Sequence, residues 1–124
     1  MIFLMTDPDI IGEATRSDQL IGETEFLKRL NCSAKSIAKA LADGALFFVT
    51  RDGQMLYPSF FANSAYEHRQ LVAVSKLLSD LDGFTKWHFF TSGKGSLGGL
   101  TPLEALEQGK FQQVKATARG FAER

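Results

Sequence analysis

Phenylalanine is the residue type that most constrains how this chain can fold. The sequence contains eleven phenylalanines in 124 residues, and six of them are adjacent pairs: Phe47-Phe48, Phe60-Phe61 and Phe89-Phe90. Neighbouring side chains of a β-strand face opposite sides of the sheet, so the pairs cannot all point inward on strands. Either helices cover both faces, or some rings form an apolar patch for a partner. We favour the second alternative, which predicts a homodimer.

Length and composition indicate a globular protein. A chain of this size buries roughly two-thirds of its surface on folding. Its 44% hydrophobic and 23% charged residues exclude collagenous and wholly disordered classes. Fourteen basic residues balance fourteen acidic ones, so any nucleic-acid binding would come from a local patch. The single cysteine, Cys32, excludes an internal disulfide and is consistent with a reducing compartment.

The first residues predict neither a secretory signal nor a membrane anchor. The run Met1–Met5 is apolar, but it is short, lacks a leading basic residue and continues into turn-forming residues. No window of the sequence approaches the ~20 apolar residues of a membrane-spanning helix. We therefore expect a cytoplasmic protein without membrane contact. Residues 1–20 are expected to form an amino-terminal arm, either ordered or exchanged between subunits.

Residues 21–63 predict a helix-turn-helix with a hairpin. The spacing of apolar residues favours helices over Glu23–Leu30 and Ala34–Asp43, the second beginning after Ser33 as its cap. Only two residues separate the first helix from that cap, which suits a helix-turn-helix angle. The β-favouring runs 46–51 and 54–57 then flank an Asp-Gly pair, which is a strong hairpin signal. Together these elements predict a small winged helix-turn-helix.

Residues 64–124 predict a helical domain. Apolar residues at alternating spacings of three and four favour a helix over Tyr66–Leu81. The sequence Thr101-Pro102-Leu103-Glu104 is a capping box with proline at the first helical position. A last helix begins near Phe111 and runs almost to the carboxyl terminus. The predicted fold class is therefore mainly α with a small β-hairpin.

The predicted second helix of the helix-turn-helix supplies candidate DNA contacts. In such motifs this helix lies in the major groove, and its outward side chains face base edges and phosphates. Here the outward residues are Lys35, Ser36 and Lys39, and Arg51 on the hairpin would reach a phosphate. The alternative is a helix-turn-helix that serves packing alone, without DNA binding.

No group of residues predicts catalysis. The two histidines, His68 and His88, have no metal-ligand spacing, and His88 between two aromatic residues predicts a partly buried imidazole. Gly93–Gly98 matches the spacing G-x-G-x-x-G, but no βαβ unit fits around it, so a turn is expected. We expect no enzymatic activity, metal or cofactor. A small enzyme remains an alternative if His88 and Lys94 converge on a pocket at this glycine-rich loop.

The carboxyl-terminal half carries an ordered series of motifs. An aromatic segment precedes a Leu-Gly-Gly turn, a Thr-Pro-Leu helix start, a leucine one turn on and a glycine before the last helix. The residues that carry this series are Trp87, Leu97, Gly98, Gly99, Thr101, Pro102, Leu103, Leu106 and Gly109. Over residues 66–124 the chain thereby resembles the toxin-binding domain of Xre/MbcA/ParS-like antitoxins. The shared residues are expected to be structural, forming a turn, a cap and a core.

This resemblance implies a bacterial regulator that dimerises and binds promoter DNA, a partner toxin or both. The toxins of such relatives are typically ADP-ribosyltransferase-like or NAD-consuming RES-type enzymes. The contact residues expected here come from the basic side chains of the last helix and its end, not from the family: Lys110, Lys115, Arg119 and Arg124. The amino-terminal half is less basic than in the antitoxins. A pure protein-interaction module without DNA binding is therefore the alternative.

Overall fold

The computed structural model describes residues 9–123, so Met1–Met5 and the candidate contact Arg124 lie outside the described residues. The fold is mainly helical with a small antiparallel sheet, as the sequence predicts. The helices are α1 Ile10–Arg16, α2 Glu23–Leu30, α3 Ala34–Ala42, α4 His68–Leu77, α5 Gly83–Thr91, α6 Pro102–Glu107 and α7 Phe111–Ala122. The strands are β1 Leu20–Gly22, β2 Val49–Arg51 and β3 Gln54–Pro58. Two short 3-10 helices cover Ser59–Ala62 and Gly95–Leu97.

The two helices of the predicted helix-turn-helix are present, with a short turn between them. Helix α2 ends at Asn31, which adopts the left-handed conformation with φ 55°. Helix α3 begins after Ser33, whose hydroxyl accepts a hydrogen bond from the backbone N–H of Ser36 at 3.2 Å. The inward faces bury Phe26 of α2 and Ile37 of α3. Both boundaries therefore follow from the cap and turn chemistry that the sequence shows.

The predicted hairpin is also confirmed, with a shorter first strand. Asp52 and Gly53 both have positive φ, 50° and 78°, as the turns that join hairpin strands require. The strands pair with Val49 opposite Leu56 and Arg51 opposite Gln54. The predicted strand residues 46–48 lie outside the sheet, because the backbone leaves it there and sends Leu46 and Phe47 into the core.

A third strand completes the sheet, and the sequence did not predict it. Strand β1 pairs antiparallel with β3, so that the order is β1-β3-β2. Leu20 of this strand is fully buried, and Ala14 of α1 is almost fully buried. Residues 9–20 of the predicted arm therefore form a helix and the first residue of a strand, both packed on their own chain. Three residues are too few to show an alternating pattern, so no strand is predicted there.

The predicted helix Tyr66–Leu81 is too long at both ends. Helix α4 covers only His68–Leu77, and a turn follows in which the N–H of Leu78 donates to the carbonyl of Ser75 at 3.0 Å. Asp82 then caps a new helix, because its carboxylate accepts the N–H of Thr85 at 2.7 Å. This cap begins α5, which covers an aromatic segment for which the sequence predicts neither a helix nor a strand.

The paired phenylalanines lie outside the strands. Phe47 and Phe48 precede β2, the second pair lies on the 3-10 helix Ser59–Ala62, and the third lies on α5. All six rings are buried or half-buried. Within residues 9–123, the large exposed apolar side chains are instead Ile10, Met55 and Phe84. The paired rings thus need no second copy of the chain to cover them, and the homodimer stays a prediction.

Four of these rings form one group, which we call the aromatic cluster: Phe47, Phe60, Phe61 and Phe90. The ring centroids of Phe60 and Phe90 are 4.9 Å apart, and Phe47 stacks on Phe90 at 6.0 Å. Phe61 meets the edge of Phe47 at 5.6 Å. Because three rings come from the amino-terminal half and one from α5, the cluster joins the two halves of the chain.

Gly83 sets how closely α5 approaches the sheet. A Cβ placed there would collide with the backbone carbonyl oxygen of Phe48. We expect Gly83→Ala to lower the free energy of unfolding by about 1–3 kcal/mol, because the helix must move away from β2. Urea denaturation measures this change.

The matched control is Gly120→Ala in α7, where a Cβ would meet nothing within 4 Å. That variant should be as stable as the wild type, or more stable by up to about 1 kcal/mol through helix propensity. Equal stability of Gly83→Ala and the wild type would show that this close approach is not needed.

Candidate functional site

Helix α3 presents two lysines and a serine on its exposed side. Lys35, Ser36 and Lys39 are all exposed, and the two lysines lie one turn apart. Lys39 is 79% exposed and its Nζ lies 3.5 Å from the carboxylate of Asp43. The Ser36 hydroxyl lies 3.1 Å from that of Ser33, within the cap of the helix. The structure therefore brings together three of the four predicted DNA contacts.

Arg51, the fourth predicted DNA contact, is engaged by carboxylates. Its Nη2 lies 2.5 Å from Oδ2 of Asp9, the residue that caps α1. Its Nε lies 3.6 Å from the carboxylate of Asp52. The guanidinium thus ties the hairpin to α1, and a phosphate would have to compete with two acidic neighbours for it.

Helix α2 is held to the turn before β1 by a bidentate ion pair. Two nitrogens of Arg29 donate to the two carboxylate oxygens of Asp18, each at 2.8 Å. Its Nε also donates to Glu25 at 2.8 Å. The hydrogen bonds from Arg29 hold the pKa of Asp18 below its ordinary value. This pair fixes α2, the helix on which α3 is mounted.

Helix α7 carries three of the predicted partner contacts. Lys110 precedes its first residue, Lys115 lies with Nζ 4.9 Å from the centroid of the Phe111 ring, and Arg119 is exposed. The twelve residues of α7 include no acid. Because Lys115 is partly covered by its own helix, Arg119 is the most open cation of α7 itself.

The residues that carry the antitoxin resemblance form a turn, a cap and a core. Gly98 and Gly99 have φ of 68° and 91° and turn the chain between α5 and α6. The capping box is confirmed: Glu104 N–H donates to the Thr101 hydroxyl at 3.0 Å, and the Thr101 N–H donates to Glu104 Oε1 at 2.9 Å. Leu103 is half-buried. Four further residues of the motif series are buried: Trp87, Leu97, Pro102 and Leu106. Gly109 follows α6 directly.

His88 is exposed, so the predicted partly buried imidazole is wrong. The segment is helical, and successive residues of a helix point about 100° apart, which turns His88 outward while Trp87 and Phe89 face the core. Its Nδ1 lies 3.4 Å from the hydroxyl of Ser92. Lys94 instead lies over the rings of Phe89 and Phe121, at 5.0 and 5.1 Å. The two residues named for a small enzyme thus both contact Ser92, to whose hydroxyl the Nζ of Lys94 donates at 3.1 Å. The cavity beside the glycine-rich loop is lined by Lys94 and not by His88.

The glycine-rich loop continues from a helix. Gly93–Gly98 follows α5 and contains the 3-10 helix Gly95–Leu97. A dinucleotide fingerprint requires a strand directly in front of it, and a helix occupies that place here. Over residues 9–123, no three His, Cys, Asp or Glu side chains come close enough together to hold a metal ion. In the same range, each helix is too short or too polar to cross a membrane.

Comparison of the chain with protein-family models, curated proteins and solved structures finds no match. The geometry of the exposed and buried residues therefore carries the functional argument.

One buried cation, Lys86, was not predicted from the sequence. Lys86 on α5 is only 7% exposed, and it stands alone among the aromatic residues of the segment 84–90. A lysine inside such a run is the sequence signal that could have singled out Lys86. Its inward position follows only once the segment is known to be a helix.

The ion pair that supports α2 predicts a specific titration. The pKa of Asp18 should lie below 3.8, and Arg29→Met should raise it to the ordinary range because the two donated hydrogen bonds disappear. The stability that this pair contributes should be present above pH 4 and be lost as the pH falls through the lowered pKa. Carboxyl-detected NMR titration measures both values.

Asp82 is the internal control for this titration. Its pKa is also lowered, chiefly by the backbone N–H of Thr85, and it should not respond to Arg29→Met. If the pKa of Asp18 is the same in the wild type and in Arg29→Met, the ion pair does not hold α2 in place.

Proposed function

We propose that the protein is a non-enzymatic bacterial regulator that resembles an antitoxin. It binds DNA through α2 and α3 and holds a protein partner through α6 and α7. Its cellular location on this proposal is the cytoplasm, where both DNA and an intracellular toxin are accessible. The observation that carries the proposal is the exposed Lys35–Lys39 side of α3, mounted on a helix-turn-helix with an adjoining hairpin.

The charge arrangement around α3 supports DNA binding. The chain as a whole is neutral, but α3 contains two lysines and no acid between its first and last residues. Lys35 and Lys39 extend from the same side of the helix. Phosphates attract such cations irrespective of sequence, and this term dominates the affinity of small DNA-binding modules.

The second part of the proposal rests on α7. A helix with Lys115, Arg119 and no acid presents a positive surface for an acidic partner. The resemblance names the class of partner: an ADP-ribosyltransferase-like or RES-type enzyme that consumes NAD. The shared motif residues position α6 and α7 by a turn and a cap, so the contacts themselves come from the exposed cations.

A homodimer also belongs to the proposal, on the strength of the antitoxin resemblance. Two copies would place two α3 helices on one duplex, as symmetric regulators do. The mass in solution should then be twice the 13.7 kDa of one chain.

DNA binding is tested with a pool of random-sequence duplexes over a salt series. We expect the double variant Lys35→Ala, Lys39→Ala to bind more weakly and to lower the slope of log affinity against log salt by about one to two counterions, because two phosphate contacts are lost. Fluorescence anisotropy measures affinity and slope together.

The matched control is Lys110→Ala, Lys115→Ala, which removes the same charge from the other half of the chain. It should keep the wild-type slope. An unchanged slope in the α3 variant would refute the assignment of these lysines, and no binding of the wild type at the lowest salt would favour the pure interaction module.

Partner binding is tested by co-expression with an NAD-consuming RES-type enzyme, which is the class of toxin that the resemblance implies. We expect the wild type to preserve cellular NAD and the charge-reversed variant Lys115→Glu, Arg119→Glu to lose that protection, because the positive surface of α7 is replaced by a negative one. NAD concentration in cell extracts is the measurement.

The corresponding variant Lys35→Glu, Lys39→Glu should still preserve NAD, since α3 belongs to the other surface. If both variants protect equally, or if the wild type gives no protection, the assignment of α7 to a toxin is contradicted.

A further inference from the structure

A cavity of about 460 Å³ lies where the amino-terminal half meets α5. Its walls come from α1, α3, β2 with the residues before it, and the first turn of α5. Most of these wall residues are apolar, and they include Ile11, Leu41, Leu46, Phe47, Val49 and Phe84. The volume falls in the range of small-molecule sites, which are mostly apolar with a few polar groups.

The principal polar group of this cavity is the ammonium of Lys86. The side chain is more than nine-tenths buried, and its Nζ lies 5.6 Å from the centroid of the Phe47 ring. Among the described residues it forms neither an ion pair nor a hydrogen bond; the ion pairs of residues 9–123 involve other cations. Within residues 9–123, the enclosed side-chain nitrogen or oxygen that lacks a hydrogen bond is Nε1 of Trp87 and not Nζ of Lys86. The ammonium therefore keeps contact with solvent, so an anion in the cavity can reach it.

The first turn of α5 brings further donors to the same cavity. Gly83, Phe84 and Thr85 are its first three residues, whose N–H groups have no acceptor inside the helix. Asp82 accepts the N–H of Thr85, which leaves those of Gly83 and Phe84 without an acceptor in the described part of the chain. Both residues line the cavity, and the positive end of the helix dipole lies there as well.

Two carboxylates limit which anion fits. Asp82 lines the cavity, and both Asp82 and Asp80 act electrostatically on Lys86. Burial lowers the pKa of Lys86 below its ordinary value, and these two charges offset that effect in part. A dianionic phosphate would be repelled by two neighbouring carboxylates, whereas a single carboxylate needs only one positive partner.

We propose that this cavity binds an apolar monocarboxylate, with its carboxylate on Lys86 and the first turn of α5 and its apolar part on Phe84, Ile11 and Leu41. The cavity suits an aromatic or short aliphatic acid. Its occupant contacts α3 as well as α5 and so bridges the two halves of the chain. This site does not depend on DNA or toxin binding.

The test compares two probes of nearly the same shape, the anion 2-naphthoate and the neutral 2-naphthamide. We expect the wild type to bind 2-naphthoate about tenfold more tightly, the difference that a charged hydrogen bond makes. Backbone amide NMR shifts in a titration of the full chain give the affinities, and they should change at the residues that line this cavity.

The variant Lys86→Met keeps an unbranched side chain, which is one atom shorter than that of lysine, and removes the charge. It should bind 2-naphthoate about tenfold more weakly than the wild type and no more tightly than it binds 2-naphthamide. The control Lys76→Met removes an exposed lysine of α4 and should leave both affinities unchanged.

Three results would overturn the site: no binding of 2-naphthoate, equal binding of the two probes by the wild type, or undiminished naphthoate binding by Lys86→Met. The comparison of the two probes on the wild type stands whether or not the variant folds.

Discussion

The packing of four phenylalanine rings joins the two halves of this chain. Phe47 contacts all three other members of the aromatic cluster, and Phe90 brings α5 into it. A hydrogen bond reinforces the same junction, since the buried hydroxyl of Ser75 on α4 donates to the carbonyl of Gly44 at 3.1 Å. One hydrophobic core therefore runs through both halves. The surfaces of α3 and α7 are consequently held on a shared core, not on separate modules joined by a linker.

The way charges are used inside the amino-terminal half limits how it would recognise DNA. Its arginines serve the fold: Arg16 pairs with Glu13, Arg29 with Asp18, and Arg51 with Asp9. The lysines of α3 remain exposed. Lysine meets a phosphate as a point charge, whereas reading guanine usually takes the bidentate fork of arginine. The proposed regulator would thus gain affinity from phosphates and would owe its sequence preference to DNA shape and to a second copy.

Much of the fold was predictable because it depends on local chemistry. Ser33 as a cap, Asp52-Gly53 as a turn and the Thr101–Glu104 capping box each act within four residues, so the sequence shows them directly. Strand β1 was missed because it exists only through pairing with β3, more than 30 residues away. Helix α5 was missed because it is buried on several sides, so its aromatic residues show no single apolar face. The predicted DNA contacts needed only the helical spacing of α3, whereas the engagement of Arg51 by Asp9 is a long-range contact.

Lys86 shows most directly why a site has to be found in the structure. Its neighbours in sequence suggest a core segment, and an unbranched apolar residue such as methionine would fill the same space without burying a charge. Burial disfavours the charged form of Lys86, and the carboxylates of Asp82 and Asp80 offset that effect in part. An anion bound in the cavity would stabilise the same ammonium by Coulomb attraction. The place of Lys86 in the wall of the cavity therefore supports the proposed monocarboxylate site, whereas packing alone would be served by methionine.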